Sequence, residues 1–352
     1  MSHTPPITLR DIAARLKVSH TTVSLALRNN PAISESRREE IKRLAEKMGY
    51  RPDPMLSSLV HYRNSRHSAK IQSALGWINH WEQPDKLRKY REFDLYWLGA
   101  LQAAEGFGYH LDEIRWEVKC SPSRVEQILM TRNIRGLLIP PHQTLPDWGN
   151  FDWNKFSIIR FGMSVTAPDT HIVTADQQRG VLMAFRKMFE YGYERIGLVV
   201  CSDYDRKLGG NFIGGLAAAQ NLFGFKHIIP PLKTNETIYD KNPSSAKKHL
   251  HQWLKKHKPD AILTSVNIVP SMIKELGYKI PGDVAVAGTT VYDVCVDAGI
   301  NQNPECIGRT AVEMLVAQIN RNERGVPVAP WRTLVESSWQ DGKSMPPKAN
   351  VK

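Results

Sequence analysis

Residues 18–29 read VSHTTVSLALRN. At helical spacing Val23, Ala26 and Leu27 fall on one side, while His20, Thr21, Ser24 and Arg28 fall on the other. An ordinary solvated helix fills its outer face with Glu and Lys. This one carries short hydroxyls, an imidazole and one guanidinium, and no acid. Short donors and acceptors can approach base edges in a DNA groove, where negative charge would be repelled by phosphate.

The elements that must hold this face are set by the flanking residues. Thr8 is placed to cap a helix starting at Leu9, with Asp11 at the reciprocal capping-box position. Leu9, Ile12, Ala13 and Leu16 form its buried stripe, and small Ala13 and Ala14 let a second helix cross closely. A short turn, Leu16-Lys17-Val18-Ser19, leads to the second helix, which Ser19 caps. Pro31 ends that helix. Ser34 opens a third, with core positions Ile41, Leu44, Ala45 and Met48 and a terminator at Gly49. Three short helices with a tight first turn make a helix-turn-helix unit, whose second helix lies in the major groove. The competing reading is a helical hairpin packed in a larger core.

Charge supports the first reading. Residues 1–70 hold 13 Lys and Arg against 6 Asp and Glu, a net +7 of the chain's +12. Such concentration suits a polyanionic partner, although a solvated arm would show it too. With 352 residues the chain is too long for one core. No apolar run approaches the roughly 20 residues that span a bilayer, and the N-terminus lacks a signal-peptide core. A cytoplasmic location without a membrane partner is expected. Cys120, Cys201, Cys295 and Cys306 are scattered without a CxxC pair, so neither a metal site nor a disulfide framework is expected.

The run ITLRDIAARLKVSHTTVSLALRNNPAISESRREEIKRLAEKMGYRPDP resembles the DNA-binding headpiece of the lactose-repressor (LacI/GalR) family. The resemblance rests on TLxDIAxxxxVSxxTVSxAL, on SxxxRxxIxxLAxxxGYxP and on their spacing. It implies that His20 and Thr21 choose the operator sequence, and that Ser19, Thr22 and Ser24 grip phosphate or neighbouring base edges. Thr8 and Arg28 complete the expected contacts. Leu25 stands where several members carry a base-reading Arg or His, and is left with apolar contacts such as a thymine methyl. Lys17 occupies a turn position often held by Gly or Asn. After Pro52 and Pro54, MLSSLVHY reads as a helix of about two turns, marginal by itself. The resemblance makes it a hinge that orders on the operator and enters the minor groove as a pair. Leu59 then falls on the wedge position, with Met55 and Leu56 beside it in the groove. The alternative for this segment is a plain linker packing on the next domain.

From about Ile71, short apolar runs alternate with helical patterns, as in sheets wound with helices. GLLIP, SIIRF, RIGLVV, AILTSV and VAVAG read as strands; 123–133, 177–192, 211–223, 244–257 and 305–321 read as helices. The expected architecture is an all-α helix-turn-helix headpiece plus an α/β two-lobed domain with parallel sheets, similar to periplasmic binding proteins. Its divisions are a headpiece over 1–53, a hinge and linker over 54–70, the two-lobed effector and dimerisation domain over 71–340, and a disordered tail over 341–352. In order, phrases such as LGALQAAEGFGYHLDEI, DQQRGVLMAFRKMFEYGYERIGLVV and AGINQNPECIGRTAVEML extend the resemblance over nearly the whole chain. It implies three crossings between lobes, near 174–178, 303–307 and 330–335.

The resemblance weakens at the pocket. Asn211, Thr290 and Gly162 stand where the family carries an Arg and two Asp, so a neutral pocket is expected, one that does not hold a typical hexose in the usual way. Asn211, Asn267 and Thr290 can still bind a polyol; Asn79 and Trp81 follow the first strand, and Arg160 sits in SIIRF. These six are the candidate effector contacts, although Trp81 and Trp97 could equally be core or dimer aromatics. The histidines of KKHLHQWLKKHK lie on different helix faces, the glycines of LGGNFIGG match no phosphate loop, and Asp203 and Asp205 have no nucleophile beside them. No catalytic residue, metal ligand or cofactor is expected. The expected function is a sequence-specific transcriptional regulator, a repressor. It binds double-stranded, near-palindromic operator DNA as a homodimer and answers a small, carbohydrate-like effector. An effector-independent DNA-bending protein is the alternative; an enzyme using the α/β cleft has no motif behind it.

Overall fold

The computed structural model describes residues 7–27, 30, 32–50, 73–117, 119–234 and 244–348. Arg28, Met55, Leu56 and Leu59, with the whole expected hinge, lie outside the described residues. Among the described residues no helix is long and apolar enough to cross a membrane.

The headpiece is three helices, α1 (Leu9–Leu16), α2 (His20–Leu27) and α3 (Glu35–Lys47). Ile12, Ala13, Val23, Ala26, Ile41 and Ala45 are buried together. Leu9, Leu16, Val18, Leu27, Leu44 and Met48 pack around them. The stripe read from spacing is thus the stripe that packs. Thr8 and Asp11 form the expected capping box. Ser34 occupies the N-cap of α3 but makes no side-chain capping bond, contrary to expectation. Lys17 ends α1 in the left-handed region, at φ 52° and ψ 42°. That conformation costs a side chain about 1 kcal/mol and explains why glycine suits this turn.

The large domain has two lobes. In the first, β1 (Ser73–Asn79), β2 (Tyr109–Arg115), β3 (Gly136–Ile139), β4 (Ser157–Phe161), β5 (His171–Ala175) and β11 (Arg332–Val335) form a sheet ordered β11-β5-β4-β3-β1-β2. All its pairings are parallel. The second sheet is β12-β10-β9-β8-β6-β7, from β6 (Ile196–Cys201), β7 (Leu232–Thr234), β8 (Ala261–Thr264), β9 (Ala285–Gly288), β10 (Gly299–Asn301) and β12 (Ser338–Gln340). Here the edge strand β12 runs antiparallel to β10, so this sheet is not wholly parallel as expected. Central strands such as β3, β4 and β6 are buried at every residue, which is why they read as unbroken apolar runs.

Helices α4 (Arg91–Gly106), α5 (Pro122–Thr131) and α11 (Pro304–Arg321) belong to the first lobe. Helices α6 (Gln177–Glu190), α7 (Ser202–Lys207), α8 (Asn211–Phe223), α9 (Ser244–His257) and α10 (Val269–Glu275) belong to the second. The chain crosses between lobes at 176, at 302–303 and at 336–337. Two crossings fall where expected. The third lies beyond 330–335, because Arg332–Val335 still pairs with β5 as the edge of the first sheet.

Two other expectations need correction. Helix α4 was not among the helices read from periodicity. Its buried residues, Glu92, Leu95, Tyr96, Trp97, Gly99, Ala100 and Ala104, fall on one broad side, but an acid and a glycine stand within that side and Leu98 is exposed opposite it, which blurs the apolar stripe. Residues 341–348 are not a disordered tail. Met345 is fully buried in the second lobe's core, and Pro346 O accepts a bond from the Tyr193 hydroxyl at 2.6 Å. Lys348 pairs with Asp260 at 2.6 Å.

Helices α4 and α11 cross through two glycines. A Cβ on Gly308 would stand 2.1 Å from Tyr96 O, and one on Gly99 would stand 2.1 Å from Glu305 O. Both obstacles are backbone, which cannot turn aside as a side chain can. Gly308→Ala is therefore expected to destabilise the fold by about 1–3 kcal/mol, the usual cost of overpacking. Gly106→Ala, whose Cβ would meet nothing within 4 Å, serves as the control and should cost nothing. Urea unfolding of the two variants checks the contrast.

Candidate functional site

Two surfaces meet the sequence expectations, the outer face of α2 and the cleft between the lobes. On α2, His20 and Thr21 are exposed, while Val23 and Ala26 face the headpiece core. Ser19 Oγ accepts from Thr22 N at 3.0 Å and shares a bond with Thr22 Oγ1 at 2.9 Å. The two hydroxyls are thereby held together at the helix start, where the backbone N–H groups also favour an anion. Ser24 and Leu25 are half-buried at the side of the face. Thr8 is exposed, but its hydroxyl is bound to Asp11 Oδ2 at 2.7 Å. That bond, with the one from the Thr8 backbone, holds the Asp11 carboxyl below its ordinary range. Two of the four acids of α3 are paired locally, Glu40 with Arg37 at 2.5 Å and Glu39 with Lys42 at 3.0 Å.

The cleft between the lobes takes in about 1110 Å³ when its open mouth is included. Its first-lobe wall comes from β1 and α4. Trp81, Tyr90, Phe93 and Tyr96 form a chain of rings with successive centroids 5.8, 5.6 and 5.9 Å apart. The second lobe supplies Cys201, Tyr204, Lys207, Ser265, Thr289, Thr290 and Asp293. Trp81 and Thr290 therefore line the cleft as expected. Asn79, Arg160, Asn211 and Asn267 do not. Asn79 is fully buried, bonding Pro84 O at 3.0 Å and Glu113 Oε1 at 2.7 Å. Arg160 is spent inside the first lobe on Val165 O, on Thr170 O and on Asp169 at 2.7 Å. Asn211 reaches only Met163 Sδ, at 3.9 Å, and Asn267 Oδ1 is buried without a hydrogen bond.

The cleft is not the neutral pocket that the sequence suggests. Asp293, from the loop after β9, reaches across to the start of α4. Its carboxylate accepts the backbone N–H of Arg91 at 2.9 Å and of Glu92 at 3.2 Å. The residue at the N-cap, Tyr90, makes no side-chain capping bond, so the other lobe caps this helix. Glu92 is 6% exposed and takes a bond from the Tyr96 hydroxyl at 3.3 Å. Burial, then the nearby charge of Asp293, push its carboxyl up to about 7. Asp293 is also raised, mainly by burial. His142 is pushed down to about 4 by burial, and stays neutral. Its Nε2 accepts from His80 N at 3.1 Å, so Nδ1 carries the proton toward Pro140 O at 2.8 Å.

The residues that sequence reasoning missed are therefore Glu92, Tyr96 and Asp293. One signal was available: Glu92 stands among aromatics in KYREFDLYW, an odd place for an acid. Among the described residues no group of three His, Cys, Asp or Glu could hold a metal. Of the glycines of LGGNFIGG, Gly215 serves packing, since a Cβ there would stand 2.7 Å from Gln178 O, whereas Gly209 and Gly210 face open space and take φ of 74° and 76°, which glycine adopts without strain. Asp205 is buried and accepts the Phe212 N–H at 2.9 Å, at the start of α8.

Glu92 makes stability depend on pH with a definite sign. Its folded value, about 7, lies above its unfolded one, so the folded protein holds the extra proton between them. The cost of ionising a buried carboxyl is fully present above about pH 7 and is relieved as pH falls toward the ordinary value. Glu92→Gln should then stabilise the protein at pH 8 by up to about 3 kcal/mol and by much less at pH 5. Thermal unfolding at both pH values measures this; an equal gain at each would contradict the assignment.

Comparison with known proteins agrees with this architecture. The family model for bacterial regulatory proteins of the lacI family matches residues 8–53, and that for a periplasmic binding protein-like domain matches residues 185–344. The headpiece is 47% identical over 54 residues to the probable HTH-type transcriptional repressor ExuR of Bacillus subtilis (strain 168), a match to 15% of this chain and 16% of that one. The solved transcriptional regulator CelR–cellobiose complex superposes with a TM-score of 0.56 at 19% identity, covering 96% of this chain and 99% of its own. A lac repressor dimer bound to operator and the anti-inducer ONPF superposes with a TM-score of 0.53 at 16% identity, covering 97% and 99%. The chain thus joins a headpiece that matches the lacI family of bacterial regulatory proteins to a two-lobed domain that matches the periplasmic binding protein-like domain.

Proposed function

We propose that the protein is a repressor that binds a near-palindromic operator as a homodimer and is governed by a small polar effector held between its lobes. The observation that carries the reading is the exposed, acid-free face of α2, displayed by a capped turn on a headpiece like that of a named repressor. A two-fold dimer presents two such helices, and a palindrome mirrors that symmetry. His20 and Thr21 read base edges; Ser19, Thr22 and Ser24 hold phosphate or flanking edges; Leu25 gives an apolar contact. Leu59, flanked by Met55 and Leu56, wedges a central base step open, and Arg28 adds a phosphate contact. The effector reading is supported by the aromatic and polar walls of the cleft and by the sugar in the CelR complex. A ligand that prefers one lobe arrangement shifts operator affinity by its differential affinity for the two arrangements.

The test is a selection from random double-stranded DNA with the full-length protein at near-physiological salt. An enriched palindrome is expected. Enrichment of bendable sequence without symmetry would favour a DNA-bending role instead. Exchanging His20 and Thr21 should change which bases are preferred at one position of each half-site, by about 1–3 kcal/mol. A uniform loss of affinity would make them backbone contacts. Leu59→Ala should weaken operator binding while leaving fold and dimerisation intact; unchanged affinity would remove the wedge.

A further inference from the structure

The polar groups of the cleft are unevenly divided between acceptors and donors. Three carboxylates line it, those of Glu92, Asp203 and Asp293, and no arginine does. The lysine that lines it, Lys207, donates to Gln143 O at 2.5 Å. His142 is neutral with both ring nitrogens engaged. Gln177 is 7% exposed, and its Nε2 bonds Thr174 Oγ1 at 3.1 Å while its Oε1 has no partner. Ser265, also 7% exposed, has an unpartnered hydroxyl. Asp203 is exposed and paired with Arg206 at 2.7 Å, which leaves Glu92 and Asp293 as the inner charges.

We propose that the effector bound in this cleft carries a protonated amine, seated at the Glu92 and Asp293 carboxylates against the rings of Tyr90, Phe93 and Tyr96. This rests on the reading of the cleft as the effector site and names the chemistry of its ligand. An anionic ligand would meet carboxylates without a guanidinium to offset them. A neutral polyol would leave the buried acids without a counter-charge. An ammonium can donate to the Glu92 carboxylate, and the unpartnered Gln177 Oε1 and Ser265 Oγ on the same lining are further acceptors for a ligand's polar hydrogens, while aromatic rings beside Glu92 suit a cation. The buried carboxyl that is costly to ionise in the empty cleft becomes a favourable partner once a cation sits beside it. Sugar-like character and an amine are compatible, as in an amino sugar.

Titration calorimetry at pH 8 with the full-length protein decides it, using sets alike except in charge. D-Glucosamine, D-glucose and D-glucuronate form one set, and cyclohexylamine, cyclohexanol and cyclohexanecarboxylate another. In at least one set the amine should bind about tenfold or more tightly than both counterparts, the worth of one charge-assisted bond. Glu92→Gln should remove that preference while retaining its melting transition. The inference is overturned if in neither set the amine binds more tightly than both counterparts, if no amine binds at millimolar concentration, or if Glu92→Gln keeps the preference. Should that variant fail to fold, the wild-type comparison decides alone. Operator binding measured in parallel separates the two readings. A neutral sugar that releases DNA upholds the repressor and removes the amine. An amine that binds without altering DNA affinity upholds the cleft chemistry and removes the effector role.

Discussion

The contact on which the large domain turns is a carboxylate of one lobe closing the open end of a helix in the other. The first backbone N–H groups of α4 have no partner within the helix, and Asp293 takes two of them across the cleft. Such a bond combines hydrogen bonding with the favourable end of the helix dipole. It also draws Glu92 into a nearly dry site beside a second acid, where one of the two must carry its charge at a cost. The lobes therefore meet through an interaction that is attractive at the backbone and repulsive between side chains. A balance of that kind is responsive to small changes in charge or in lobe separation.

The placing of α4 gives this contact its reach. The glycine crossing at Gly99 and Gly308 fixes α4 against α11 with backbone touching backbone. Helix α11 starts directly after the crossing at 302–303, and Asn303 Nδ2 donates to Glu336 O in the third crossing at 2.7 Å. A movement at the lip of the cleft is thus shared by packed helices and by two of the three connections. Residues 51–72 join the headpiece to β1 of this same lobe.

The headpiece follows a different logic. Its core is small, six buried side chains with a fringe around them, and its helices are at most 13 residues long. Short helices of this kind gain much of their order from capping. The Thr8–Asp11 box and the Ser19–Thr22 cap meet that need. Held by its cap and by Val23 and Ala26 in the core, α2 keeps His20 and Thr21 exposed.

These differences decide what could be read before the fold was known. The headpiece was legible because its determinants are local: caps three residues apart, stripes at helical spacing and a turn that tolerates a positive φ. The central strands were legible because burial on both faces leaves unbroken apolar runs, as in GLLIP and SIIRF. Helix α4 was not, because Glu92 and Gly99 interrupt its buried side and Leu98 stands exposed opposite, which blurs the stripe that marks a helix. The antiparallel edge strand and the packed residues 341–348 depend on partners far along the chain. The candidate cleft was misjudged for the same reason. Aligned positions predicted neutrality, whereas the acids come from positions 92 and 293, which share no local pattern. Trp81 and Thr290 reach the cleft, while Asn79 and Arg160, equally plausible as polar residues by a strand, are consumed within their lobe. Sequence by itself determined the headpiece's family resemblance, the acid-free outer face of α2 and the layering of the lobes, because each is written in short-range spacing and in the resemblance it carries. Only the tertiary structure decided which polar groups are free in the cleft and what charge they present, because hydrogen-bond satisfaction and desolvation depend on neighbours brought together from distant parts of the chain.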